Sequence, residues 1–288
     1  MDRILFGDNQ FFAVNHISDE KSRAQSIKFK EDKTIIDTID IAHSAGAGTF
    51  MCTSHDRIYN ICDVFRSNRD KYKDLTIFPC MPYAHKYANA VTELGIMGTI
   101  KQYVPGNFFG SIFKGGVAFV SKDYVSIMEL LIDAEMKMFH DLNTPVMFLQ
   151  NNITDLLLGL KMKELFLAFD SYIRKKYNAE PAYITMNFPM LLDYLESIGI
   201  TNPIICASIN KAGFRMCGAS KVEHILKTRQ VRAIAMQVLG GGAIPPKEAI
   251  EYVCNLPNVQ SILFGASSKQ NIVETINLIH EYDDKAAK

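Results

Sequence analysis

The chain has 288 residues, with 31 Lys and Arg against 31 Asp and Glu, and 48% of it is hydrophobic. That is the composition of a globular protein, long enough to bury roughly three quarters of its unfolded surface. Zero net charge excludes the basic excess of a nucleic-acid binder, and no run of ~18 apolar residues is present to span a membrane.

In chain order, short β-branched apolar runs and 3.6-residue periodicities separate strands from helices. A strand is predicted over 3–6, ended by Gly7-Asp8-Asn9, then a helix over Asp32–Ser44 with Gly46 placed to cap it. Strands over Thr49–Thr53 and 75–81 flank a helix over 57–65. After a long excursion come strand 146–150, helix 154–176, strand 182–186 and helix 190–197. Strand 204–209, helix 221–228, strand 232–239, helix Pro246–Cys254, strand 261–264 and helix 269–282 complete the series. Strands and helices in strict alternation imply a parallel sheet. Eight such units predict a (β/α)8 TIM barrel, a single domain over 1–288. A doubly wound open sheet is the alternative, without need of an eighth strand.

The irregular part is an insertion over 83–144 between strands three and four, with one helix over 123–140 and a glycine-bearing apolar stretch. Loops of this length serve as lids or contacts, so a lid or dimer contact is expected. Lys101, Lys114 and Lys122 beside Phe108, Phe109 and Phe113 give membrane-surface contact as the lesser alternative. The first residues lack a basic stretch followed by an apolar one, so no secretory leader is expected. Six cysteines, scattered singly at 52, 62, 80, 206, 217 and 254 without CxxC, read as reduced thiols of a cytoplasmic protein.

Active sites of such barrels lie at the C-terminal ends of the strands. Those ends carry Asp8 and Asn9, His55 and Asp56, His85 and Lys86, Gln150 and Asn151, Asn187, then Asn210, Lys211 and Arg215. The loops after strands seven and eight are Gly240, Gly241 and Gly242, and Gly265, Ala266, Ser267 and Ser268. Glycine amides and a helix N-terminus there would hold an anion, either a phosphorylated metabolite or a dinucleotide. The alternative is that the glycines only permit tight turns. Lys211 and Arg215 are expected to touch the same anion, with imine chemistry at Lys211 as a lesser reading. His55 and His85 suit proton transfer near neutrality, with Asp8 or Asp56 orienting them; Asp56 as a simple helix cap is the alternative. His16 joins the early-loop histidines, but no spacing characteristic of metal ligands is present and no metal is expected. Cys52, Cys80 and Cys206 lie within strands and are read as packing.

The second half resembles the aldo-keto reductases, a TIM-barrel superfamily that uses NADPH. The resemblance rests on Ile234-Ala-Met-Gln-Val-Leu-Gly-Gly-Gly-Ala243 at strand seven and Ser261-Ile-Leu-Phe-Gly-Ala-Ser-Ser-Lys-Gln-Asn-Ile-Val-Glu-Thr275 at strand eight. Tyr183-Ile-Thr-Met-Asn-Phe188 is similar to that family's strand five, with Asn187 on the nicotinamide-contacting Asn. The resemblance implies NADP(H), with Lys269 a candidate for its 2′-phosphate. The family's Asp-Tyr-Lys-His tetrad is not matched: Cys52 falls on the Asp, Arg57 near the Tyr, Met81 near the Lys, and Gln150 or Asn151 on the His. Tyr59 or Tyr83 would be the shifted proton donor.

The first expectation is an enzyme acting on a small phosphorylated or anionic, sugar-like metabolite by isomerase- or lyase-type acid/base chemistry. The alternatives are a divergent NADPH-dependent oxidoreductase and a non-catalytic binding or assembly barrel. The expected partner is an anionic small molecule, with a homo-oligomer left open.

Overall fold

The computed structural model describes residues 1–12, 19–83 and 124–286. Eight parallel strands close into a barrel in chain order: β1 (Ile4–Gly7), β2 (Thr49–Thr53), β3 (Thr76–Met81), β4 (Val146–Leu149), β5 (Glu180–Thr185), β6 (Ile204–Ser208), β7 (Arg232–Met236) and β8 (Val259–Phe264). The ring is completed by β1 against β8, Leu5 standing opposite Leu263. The predicted (β/α)8 barrel is therefore the fold. Of the expected insertion, residues 84–123 lie outside those described, as do His16, His85 and Lys86.

Strands buried on both faces read as continuous apolar runs, and the alternation of the pleat sorts each run into two layers. In β4, Val146 and Phe148 pack inside the barrel with Leu5, Phe78 and Ile234, while Met147 and Leu149 face the helices. Cys80 and Cys206 belong to the interior layer and Cys52 to the helix-facing one. All three are buried, as their packing reading required.

Among the described residues the α-helices are α1 (Asp19–Lys28), α2 (Asp32–Ser44), α3 (Asp56–Ser67), the short α4 (Arg69–Tyr72), α5 (Tyr124–Met136), α6 (Asn151–Gly159), α7 (Lys163–Tyr177), α8 (Phe188–Ser197), α9 (Ala219–Thr228), α10 (Pro246–Cys254) and α11 (Lys269–Ala286). In α2 the residues Ile35, Thr38, Ile39 and Ala42 form one buried stripe. Two of the differences from the predicted elements have a clear backbone cause. The single helix expected over 154–176 is two, because Lys161 takes a left-handed turn at φ 53°. Met162 N–H then donates back to Leu157 O at 3.0 Å, closing α6. Strand seven stops at Met236 rather than Leu239, because Gln237 at φ 55° turns the chain out of the sheet. No helix among the described residues is long and apolar enough to cross a membrane.

Candidate functional site

At the C-terminal mouth, the ends of β1, β2 and β3 build one polar cluster. Asp8 follows β1 and is 6% exposed. Its Oδ2 accepts hydrogen bonds from Thr53 N and Thr53 Oγ1, both at 2.7 Å. Burial pushes the Asp8 carboxyl above its ordinary range, and the Thr53 bonds work against that rise.

His55 follows β2 as the cap residue of α3, its Nδ1 accepting from Arg57 N at 3.1 Å. Asp56, the alternative cap, instead begins the helix. With Nδ1 an acceptor, the neutral ring carries its hydrogen on Nε2. The imidazole stacks on Phe12 at 4.0 Å and 15°, and its centroid lies 5.7 Å from that of Tyr83. Tyr83 follows β3. Burial first, then the Asp8 and Asp56 charges, raise its phenol above the ordinary value.

Behind this pair lies a residue the sequence reading passed over. Glu135 of α5, 2% exposed, accepts from Tyr83 N at 3.0 and 3.1 Å with its two oxygens. It also accepts from the Ser54 hydroxyl. A signal was present: Met128, Ile132, Glu135 and Met136 form the buried stripe of α5, so a carboxylate stood on an apolar face.

The opposite rim is differently occupied. Asp155 ties the end of β5 by accepting from Thr185 Oγ1 at 2.5 Å and Met186 N at 3.0 Å. Asn187 Nδ2 lies 3.6 Å from Met190 Sδ. Asn210 uses its carboxamide twice on Phe214, accepting from its N–H at 2.8 Å and donating to its carbonyl at 2.9 Å. Lys211 pairs with Glu248 at 2.6 Å and is 52% exposed, so it sits on the outer rim. Arg215, at φ 53°, lays its guanidinium 5.3 Å from the Phe214 ring centre. Gln150, at the end of β4, donates its N–H to Met81 O at 3.0 Å.

The two glycine loops divide. Gly240 N–H donates to Gln237 O and Gly242 N–H to Leu239 O, both at 2.9 Å, so these amides serve their own turn. Gly265 faces Gln10, whose Oε1 lies where a Cβ at 265 would stand. Gln10 is anchored there by donating to Gly7 O at 2.7 Å. Beyond Gly265 and Ala266 the loop carries donors. Ser268 Oγ caps α11 by accepting from Asn271 N at 3.2 Å. The Lys28 amine reaches across from α1 to Ser267 O. Gln25 approaches the Ser267 hydroxyl at 3.5 Å.

Among the described residues, no group of three or more His, Cys, Asp and Glu is arranged to hold a metal ion. The cluster brings together the His55 imidazole, the Tyr83 phenol and two buried carboxyl groups, Asp8 and Glu135.

No family model matches the chain, and no curated protein matches it in sequence. Solved structures do. A protein provisionally assigned as an aldo-keto reductase from Pseudomonas aeruginosa superposes with a TM-score of 0.59 at 10% identity, over 98% of this chain and 90% of that one. An aldo-keto reductase from a Medee basin deep-sea metagenome library gives 0.56 at 9%, over 98% and 91%. An aldo/keto reductase from Brucella melitensis gives 0.52 at 7%, over 89% and 90%. The fold is thus an aldo-keto-reductase-like TIM barrel.

Proposed function

We propose that this barrel is a cytoplasmic oxidoreductase that reduces a carbonyl on a small metabolite, using NADPH. The observation that carries the reading is the nearness of two side chains able to donate to a carbonyl oxygen, the His55 imidazole and the Tyr83 phenol, whose ring centres lie 5.7 Å apart on neighbouring strand ends. The likeness in fold to aldo-keto reductases supports it. The isomerase- or lyase-type reading needs a base that accepts a proton from carbon. His55 is poorly placed for that, since accepting at Nε2 would require moving its hydrogen to a nitrogen already engaged by Arg57. Its expected partner, His85, lies outside the described residues.

The donor set at the β8 loop fits the phosphate end of a dinucleotide. There the Lys28 amine, bonded to Ser267 O, and the Ser268 hydroxyl, which caps α11, stand beside the N-terminus of that helix. Gly240 and Gly242 add no cradle, having used their amides. Lys269, the candidate for a 2′-phosphate, is exposed on the first turn of α11.

When bound, the reduced nicotinamide supplies hydride to the carbonyl carbon. The chain does the rest. His55 Nε2–H and Tyr83 Oη hydrogen-bond the carbonyl oxygen and stabilise the charge that develops on it. The phenol then passes its proton to that oxygen, and solvent reprotonates the phenolate. A phenol held above its ordinary pKa is protonated across the neutral range, which a proton donor to an alkoxide requires. Asp8, kept by Thr53, disfavours the phenolate and so keeps the donor loaded.

Calorimetric titration with NADPH and NADP⁺ tests the reading, since the chain has no Trp to report binding. Micromolar binding, with reduced nicotinamide consumed in the presence of sugar-like carbonyl compounds, is expected. Stabilisation by inorganic phosphate or a sugar phosphate without dinucleotide binding would assign the β8 loop to an anionic substrate and end the redox reading.

A further inference from the structure

We propose that Glu135 is the positioning residue of the donor pair, its buried carboxylate fixing the main chain at Tyr83 and, through the Ser54 hydroxyl, the chain that leads into His55. This rests on the carbonyl-reduction reading for its chemistry, but the geometry is independent of it. Tyr83 and His55 sit on loops after different strands, beyond the last β2–β3 pair, Thr53 opposite Cys80. Glu135 spans that gap. Both its oxygens take the Tyr83 N–H, and Oε2 takes the Ser54 hydroxyl of the residue directly before His55.

The choice of a carboxylate on this face also needs a reason, because a buried charge is costly unless its hydrogen bonds are made. An apolar side chain at 135 would pack in the stripe of Met128, Ile132 and Met136 without that cost. It would leave the Tyr83 amide and the Ser54 hydroxyl without this acceptor. The residue therefore trades packing for control of two loop ends. Phe12, stacked on His55 from the β1 side, constrains the imidazole from the other direction, so the pair is held between α5 and the turn after β1.

The test places a fluorotyrosine at position 83 of the full chain and reads its fluorine resonance in wild type, Glu135→Gln and Glu135→Ala. Expected is a resonance close to wild type in Glu135→Gln, whose carboxamide oxygen still accepts from Tyr83 N, and a shifted or broadened one in Glu135→Ala. In parallel, kcat for carbonyl reduction falls on the order of 100-fold in Glu135→Ala with KM little changed, as a misplacement of about 1 Å would give, and Glu135→Gln recovers most of it. A resonance unmoved in Glu135→Ala overturns the proposal, whatever the enzyme does. Absence of any reductase activity with the resonance shifted overturns the chemistry and leaves the positioning role standing. Should Glu135→Ala not fold, Ser54→Ala reads the same device: a smaller shift in the same direction is expected, and no shift overturns it.

Discussion

Gln10 fills the space that a side chain at Gly265 would need. Its carboxamide oxygen lies over the glycine and its amide donates to Gly7 O at 2.7 Å, so the turn after β1 is seated on the loop after β8. Gly265→Ala must push Gln10 off that hydrogen bond, at a cost of about 1 kcal/mol. In a double-mutant cycle with Gln10→Ala the two losses should be less than additive. Additive unfolding free energies would show that the pair does not interact.

Tyr83→Phe keeps the ring beside His55 and removes only the hydroxyl. Carbonyl reduction should fall roughly 100- to 10,000-fold in kcat, with the melting temperature within a few degrees of wild type. Retention of full turnover would remove Tyr83 from the mechanism.

His55 combines a cap and a ring donor, and substitution separates them. Asn is a strong capping residue, so His55→Asn should keep α3 and lose activity. His55→Ala should lose both, at about 1 kcal/mol of stability for the cap. Chemical denaturation beside steady-state kinetics distinguishes the two variants.

Asp8 carries a sign that can be checked. Its folded carboxyl titrates above the ordinary 3.8, so the folded state holds its proton more tightly than the unfolded one. That stabilisation is complete below the unfolded value and is lost as pH rises through the folded one. Asp8→Asn, which keeps an acceptor for Thr53, should therefore gain on wild type as pH rises from the acid side towards neutrality. Parallel stability profiles against pH would contradict the raised carboxyl.

Phe148, inside the barrel against Phe78 at 5.8 Å between ring centres, tests the interior layer. Phe148→Ala should cost about 3–5 kcal/mol, measured by denaturant unfolding; a loss below 1 kcal/mol would mean the layer collapses around the gap.

The eight units were legible because each strand is apolar on both faces and each following helix, from α2 onward, carries a stripe. Helix α1 was not, since Asp19–Lys28 is polar around nearly its whole circumference and presents no period to read. The break at Lys161 escaped because a lysine occupies the left-handed position where glycine would have announced it. In the site, strand ends drew attention to Asp8 and His55, and the family resemblance to Tyr83 as a shifted proton donor. Their mutual arrangement depends on Glu135, which sits on a helix far along the chain. At Gly265 the sequence shows only that a side chain is missing, not that Gln10 takes its room.

The cysteine distribution has a practical use. Burial holds the thiols of Cys52, Cys62, Cys80, Cys206 and Cys254 above their ordinary range, where they are poor nucleophiles. Cys217 alone among the six is exposed, its sulfur 3.4 Å from Met186 O at the barrel mouth. A maleimide dye should therefore attach at one defined place on the native protein without any engineered residue. Sitting next to Asn187, that label would give a chain without tryptophan an optical reporter of whatever enters the mouth.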